Sequence, residues 1–131
     1  MPGEKEVVRF GPFASAIANC VKKNDTIYMS GQVSLDEKGQ VVGEGDLGAQ
    51  ITQAYANVKE SLSKLGATMD DIVDETWFVI DVAGVMGDFE TSFGARAKAF
   101  GGDPQLCQTL IGVKALAMPE LMIEIKCVAV V

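Results

Sequence analysis

The closing run of the chain, residues 121–131, constrains the fold most, because it predicts a strand that carries one carboxylate. Glu124 stands between Ile123 and Ile125 in a run that is otherwise largely apolar. Side chains alternate between the two faces of a strand, so Glu124 shares a face with Lys126 and the two isoleucines share the other. One interpretation is a solvated face, which the pattern alone favours. The other is a carboxylate held on a rigid strand at the rim of a pocket.

Composition limits the class of protein. The chain of 131 residues fits one domain over residues 1–131, and at 48% hydrophobic and 22% charged residues it is globular rather than disordered. A net charge of −7, without a basic patch, argues against a nucleic-acid partner. No apolar run is long enough to cross a bilayer, so no membrane partner is expected.

Cysteine and histidine usage excludes several chemistries. The three cysteines, Cys20, Cys107 and Cys127, are far apart, and the chain has no histidine. These facts exclude the common zinc sites and any histidine base, so neither a metal nor an organic cofactor is predicted. Unpaired thiols and a polar start without a signal-peptide pattern lead us to expect a cytoplasmic protein.

The apolar periodicity predicts strands separated by two helices. A helix begins after the N-cap residue Asp46 and ends at Gly66, and a second begins at Asp88 and ends at Gly101. The predicted extended segments are residues 7–10, 18–22, 26–30, 31–35, 40–42, 72–82, 106–113 and 121–131.

This order predicts an α+β fold with a mostly antiparallel sheet and two helices on one face. The segment 72–82 is apolar on both faces, with Phe78 and Ile80 on one and Trp77 and Val79 on the other, which is typical of a strand buried on both sides. Since two helices cover only one face, we expect other copies of the chain to cover the second.

Five motifs in order resemble the RidA/YjgF family of reactive-intermediate deaminases, formerly called L-PSP endoribonucleases, over nearly the whole chain. They are Gly11-Pro12-Phe13, residues 27–32 ending in Ser30-Gly31-Gln32, residues 66–73, Asp88-Phe89, and Ile123-Glu124-Ile125 with residues 128–130. The resemblance implies a chorismate-mutase-like fold that assembles as a trimeric barrel with clefts between subunits. It also implies a substrate carboxylate held by an arginine, a water positioned by a glutamate on the last strand, and a tyrosine after Gly-Pro.

The sequence departs from this family pattern at three positions. Gln108 stands where the arginine is expected, Phe13 replaces the tyrosine, and Phe93 falls where deaminating members tend to have an asparagine. The following loop is about one residue longer, so the register at Gln108 is open by one position. Arg9 and Arg96 are the only arginines, and neither lies near this motif in the sequence.

Glu124 keeps its family identity, and we predict it as the catalytic residue. An apolar site should raise the pKa of its carboxyl group, which suits proton transfer near neutral pH. The predicted substrate-binding residues are Phe13, Ser30, Gly31, Phe93, Cys107 and Gln108. The structural alternatives are core aromatics for Phe13 and Phe93, a surface or interface hydrogen bonder for Gln108, and a small buried hydrophobe for Cys107. Arg96 is either a solvated or salt-bridged surface residue or the candidate to replace the missing clamp.

Two functions fit these residues. The first is a homotrimeric enzyme that hydrolyses a small imine or enamine, with weak or absent activity on 2-iminopropanoate because the arginine is missing. The second is a non-catalytic trimeric protein that binds a small molecule on the same scaffold. RNA cleavage, which the older family name suggests, is disfavoured by the acidic charge and by the lack of histidine.

Overall fold

The computed structural model describes residues 3–131 and contains one mixed sheet covered on one side by helices. Its strands, in chain order, are β1 Lys5–Val8, β2 Cys20–Lys23, β3 Thr26–Met29, β4 Gln32–Val33, β5 Ile72–Val79, β6 Cys107–Gly112 and β7 Ile123–Val130. Its helices are α1 Leu47–Ser63, α2 Val82–Gly87 and α3 Phe89–Phe100, and a single 3-10 turn, Met69–Asp71, precedes β5.

The closing strand β7 is the centre of the sheet. The strand order is β1-β2-β3-β7-β5-β6, and the short β4 pairs with β7 beside β3. Every pairing is antiparallel except that of β5 with the edge strand β6. The predicted α+β fold with a mostly antiparallel sheet is therefore confirmed.

Helix α1 forms where the apolar stripe predicted it. The Asp46 carboxylate accepts a hydrogen bond from the amide of Ala49 at 3.1 Å, which satisfies a free N–H of the first turn. Ile51, Val58 and Leu62 are fully buried on one side, so the helix is held to the sheet by its apolar face.

Helix α2 was missing from the sequence prediction, which extended one strand over residues 72–82. Strand β5 ends at Val79, and the Asp81 side chain accepts a hydrogen bond from the amide of Gly84 at 3.0 Å. Asp81 is therefore an N-cap that turns the chain into a helix after Val79. The apolar residues that suggested a longer strand, such as Val82, belong to this short helix, so residues 3–131 form three α-helices rather than two.

The alternation of β7 separates two sheet faces. Ile123, Ile125 and Cys127 are buried under the helices, whereas Glu124 and Lys126 project from the other side, which we call the outer face. The outer face also carries half-buried or exposed apolar side chains of β3, β5, β6 and β7 itself. They are Tyr28, Phe78, Ile111, Val128 and Val130.

A buried carboxylate connects the helix layer to the sheet. Glu75 on β5 is fully buried, and its Oε1 accepts a hydrogen bond from the Tyr55 hydroxyl at 2.6 Å. Its Oε2 accepts hydrogen bonds from Arg96 on α3 and, at 3.0 Å, from Gln108 on β6. The indole N–H of Trp77 donates to the Tyr55 oxygen at 3.0 Å. Burial, the Glu75 charge and the hydrogen bond to it all raise the pKa of Tyr55, so this hydroxyl remains a donor.

We predict that Arg96→Met destabilises the fold by about 3–5 kcal/mol, because it leaves the Glu75 carboxylate buried without its cation. Chemical denaturation measures the loss. The double variant Glu75→Gln, Arg96→Met removes both charges and should recover part of that loss. Equal stability of the single and double variants would contradict a stabilising charge pair in the core.

Candidate functional site

Glu124 lies on the outer face, in the middle of the sheet. It pairs with Phe78 on β5 and with Val33 on β4, and its side chain is half-buried. The carboxylate lies directly against Gly31, because a Cβ added at that glycine would overlap the Glu124 carboxyl group. Glycine at position 31 therefore makes the room that this carboxylate occupies.

The electrostatic surroundings of Glu124 favour its protonated form. Burial raises the pKa of its carboxyl group, and the positive charge of Lys126 on the same face lowers it by a smaller amount. The predicted direction of the pKa shift is therefore confirmed. A carboxyl group with a raised pKa can accept and return a proton near neutral pH.

A cavity of about 900 Å³ opens beside Gly31, at the ends of β1 to β4. Phe13, Ser30 and Gly31, three of the predicted binding residues, line it. The Phe13 side chain is 50% exposed, and the Ser30 hydroxyl donates to the carbonyl of Ala18 at 2.7 Å. The structure thus brings these three residues together at one cavity, and one of them, Gly31, contacts Glu124.

Two further predicted residues lie on the other side of the sheet. Phe93 on α3 stacks on Trp77 with ring centroids 5.0 Å apart, and Gln108 donates to Glu75. Both contacts are in the helix layer, so the prediction that Phe93 and Gln108 share a cleft with Glu124 is corrected. For Gln108 the reason is the alternation of side chains along a strand. Gln108 pairs with Glu75, and both side chains lie on the helix-covered face of the sheet, opposite the face that carries Glu124.

Arg96 also belongs to the helix layer. Its guanidinium is committed to Glu75 and lies 5.9 Å from the Phe93 ring centroid and 5.7 Å from that of Phe100. The hypothesis that Arg96 replaces the missing anion clamp beside Glu124 is therefore wrong. A cation enclosed by two aromatic faces and a carboxylate is a structural element.

Cys107 is exposed and lies on the outer face of β6, opposite Asp74. Glu124 is opposite Phe78, so within one subunit Cys107 is two strands away and four residues along, a separation on the order of 16 Å. Cys107 and Glu124 of one chain therefore do not meet. By contrast, Cys127 is buried, and burial raises the pKa of its thiol.

The polar side of α1 contributes residues to the site that were not among the predicted ones. Gln53, Asn57 and Glu60 line the cavity, at the helical spacing that sets them apart from the apolar stripe. The Asn57 amide donates to the carbonyls of Val33 at 2.8 Å and Leu35 at 2.9 Å, so it fixes the strand that faces Glu124. The sequence signal for this surface was the pair of amide side chains Gln53 and Asn57, which lie one helical turn apart on α1.

Residues 3–131 contain no cluster of three or more acidic, cysteine or histidine side chains with metal-binding geometry. Among the same residues, no helix is long and apolar enough to span a membrane.

Comparison with known proteins gives a consistent result. Residues 6–131 match the family described as Endoribonuclease L-PSP. The mitochondrial protein mmf1 of Schizosaccharomyces pombe is 32% identical over 121 residues, which cover 91% of this chain and 68% of that protein. The RutC family protein YjgH of Escherichia coli is 32% identical over 105 residues, or 80% of this chain and 76% of that one. The solved structure of Rv2704 of Mycobacterium tuberculosis, from the YjgF/YER057c/UK114 family, superposes with a TM-score of 0.81 at 24% identity, covering 98% of this chain and all of that one.

We predict that the stability of the Glu124→Gln variant, measured relative to the unsubstituted protein, is higher at pH 7 than at pH 4. A raised native pKa means that the native state binds more protons than the unfolded state between the two pKa values. The stability that Glu124 contributes is therefore complete below its unfolded pKa and falls as the pH rises through the native pKa. Melting temperatures across this range measure the difference, and a difference independent of pH would contradict the shift.

Proposed function

Because this chain belongs to the RidA/YjgF/L-PSP family, we propose that it is a homotrimer whose subunit clefts hydrolyse a small imine or enamine to a carbonyl compound and ammonia. The observation that carries this proposal is the Glu124 carboxylate, which is half-buried on the central strand and in contact with Gly31, a residue that lines the cavity. A carboxylate on a central strand is held in place by its neighbours, which preorganises it for proton transfer.

Hydrolysis of an imine requires an oriented water molecule and a proton acceptor. Glu124 orients the water, whose oxygen attacks the carbon of the C=N bond while the carboxylate takes the proton. Glu124 returns that proton to the nitrogen, which gives a neutral carbinolamine. Glu124 then takes the proton of the carbinolamine hydroxyl and delivers it to the nitrogen, so that the C–N bond breaks, ammonia leaves and the C=O bond forms. Glu124 ends each cycle deprotonated and ready for the next water, and its raised pKa strengthens it as a proton acceptor.

The binding group for a substrate carboxylate is the part of the family pattern that this chain lacks. Gln108 faces Glu75, and Phe13 has no hydroxyl group. A lost bidentate arginine contact costs a few kcal/mol, or about a hundredfold in rate, so turnover of 2-iminopropanoate should be weak. The same loss favours the second candidate function, a trimeric protein that binds a small molecule without turnover.

The outer face supports the proposed trimer. Tyr28 is 56% exposed and Val130 39% exposed, and both lie on the sheet face that the helices leave open. Contiguous apolar surface of this kind is typical of an interface between subunits. The net charge of −7 argues against an RNA substrate despite the family name, and the free cysteines favour a reducing compartment such as the cytoplasm.

We predict a particle of three times the chain mass of 13.9 kDa at micromolar concentration, measured by light scattering. Val128→Asp places a charge in the middle of the outer face and should release monomers. Ala56→Asp on the exposed side of α1 is the matched control and should leave the trimer intact. A monomeric unsubstituted protein would remove the proposal of subunit clefts.

We predict that Glu124→Gln lowers imine hydrolysis about a hundredfold or more, because glutamine keeps the shape and loses the proton acceptor. A coupled assay for released ammonia measures turnover on uncharged imines. The variant should keep the trimer, since the substitution removes a charge from the interface without adding volume. Unchanged turnover would assign the chemistry elsewhere, and absence of turnover in the unsubstituted protein would favour the binding function.

A further inference from the structure

The cavity of about 900 Å³ has room for a ligand much larger than a three- or four-carbon imine. Its charged side chains Glu37, Lys38 and Glu60 are exposed and therefore belong to the rim. The half-buried polar side chains of the wall are uncharged except Asp36, whose carboxylate accepts the backbone N–H groups of Lys38 and Gln40 at 2.9 Å. A charged ligand group would exchange water for this largely uncharged wall at a cost, so the wall favours an uncharged polar ligand.

Gln53 on α1 supplies a hydrogen-bond acceptor in a fixed orientation. Its Nε2 donates to the Asn57 Oδ1 at 3.0 Å and to the Leu35 carbonyl at 3.3 Å, which uses both of its N–H groups. Asn57 is itself fixed, because both of its N–H groups donate to backbone carbonyls. Among residues 3–131 the Gln53 Oε1 has no partner, and it is open to solvent on a residue of the cavity wall. It is therefore available to accept a hydrogen bond from a ligand.

Asn19 supplies the complementary donor on the same cavity wall. Its Oδ1 accepts the backbone N–H of Phe10 at 2.9 Å, and its own backbone carbonyl accepts that of Ser30 at 3.0 Å. Its backbone N–H donates to the Val8 carbonyl at 2.8 Å, so three hydrogen bonds hold the residue in place. Within the described part of the chain the Asn19 Nδ2 donates to no acceptor, which leaves both of its N–H groups for a ligand.

Phe13 adds an aromatic surface to these two polar groups. Its side chain lines the cavity and is 50% exposed, so a flat ligand that covers the ring removes apolar surface from water. The Phe13 carbonyl accepts the backbone N–H groups of Ala16 at 3.0 Å and Ile17 at 2.9 Å, which holds the turn that presents the ring. A planar aromatic ligand group therefore has a preformed surface to pack on.

We propose that the cavity binds a planar aromatic ligand that carries an uncharged carboxamide or lactam group. The aromatic plane packs on Phe13, an amide N–H donates to the Gln53 Oε1, and the ligand carbonyl accepts from the Asn19 Nδ2. A carboxylate has no donor for Gln53, and an amidinium group has no acceptor for Asn19, so an amide satisfies both groups where either ion satisfies only one. The site requires neither Glu124 nor turnover, so this inference goes beyond the proposed hydrolysis.

Three ligands of nearly the same shape test the selection in the intact protein. Benzamide is the uncharged amide, benzoate is the corresponding anion, and benzamidine is the cation at neutral pH. Calorimetric titration should give at least about tenfold tighter binding of benzamide than of either ion, and acetamide, which lacks the ring, should bind at least about tenfold more weakly than benzamide. Equal or tighter binding of benzoate or benzamidine overturns the proposal, and so does the absence of benzamide binding at about 10 mM.

Two variants and one control test the place of the ligand. Gln53→Met keeps the length of the side chain and removes its acceptor, so it should weaken benzamide binding about tenfold. Phe13→Leu removes the aromatic surface, leaves the hydrogen bonds between Gln53 and Asn57 intact, and should weaken binding to a similar extent. Gln105→Met makes the same chemical change at an exposed position outside the cavity wall and should leave the affinity unchanged.

The variants decide the assignment in either direction. Unchanged benzamide affinity in a folded Gln53→Met variant or in Phe13→Leu overturns the assignment to this cavity, and so does an equal loss in Gln105→Met. Because Phe13 is half exposed and is not part of the hydrophobic core, its variant gives the answer even where Gln53→Met disturbs α1.

Benzamide binding and imine turnover are independent outcomes. Benzamide binding without turnover supports this inference and contradicts the proposed enzyme. Turnover without benzamide binding supports the enzyme and overturns this inference.

Discussion

The Glu75 carboxylate is the interaction on which the arrangement of this fold depends. It is fully buried, and its hydrogen-bond donors come from α1, α3 and β6, so one side chain ties the two long helices and the edge strand to β5. A buried charge is tolerated only when its partners are complete. This requirement draws Arg96 and Gln108 into the helix layer and leaves the outer face without them.

The outer face receives its chemistry from a different constraint. Strand β7 alternates strictly, so burying Ile123 and Ile125 under the helices forces Glu124 to the other side. The absence of a side chain at Gly31 then allows the carboxylate to lie against the backbone of the cavity wall. The position of the candidate catalytic group is thus fixed by packing on the opposite side of the sheet.

Sequence patterns predicted the parts of the structure that depend on periodicity. The stripe of α1, the α+β class, the two faces of β7 and the pKa direction of Glu124 all follow from residue spacing and burial. The site was predicted less completely. Resemblance to a family motif indicates positions but not the sheet face of each side chain, so Gln108 was placed at the cleft although its partner Glu75 is in the core.

Helix α2 and the role of Phe93 were also not predictable from local sequence patterns. An apolar run after a strand has no period long enough to reveal one turn of helix, and only the Asp81 cap distinguishes it. Phe93 lies on the apolar side of α3, where its stacking with Trp77 and Phe89 replaces a polar role with a packing role. For α2 the decisive contact is the Asp81 cap, and for Phe93 it is Trp77, which is distant in the sequence.

Parity on β6 also defines which positions can change the chemistry of the outer face. Cys107, Thr109 and Ile111 project there, whereas Gln108 and Leu110 project toward the helices. An arginine at position 108 would therefore join Glu75 and compete with Arg96, and only one at an outer position such as 109 would add charge to the interface side. The outer side chains of β6 carry no positive charge, and the cation that shares the outer face with Glu124 is Lys126 of β7.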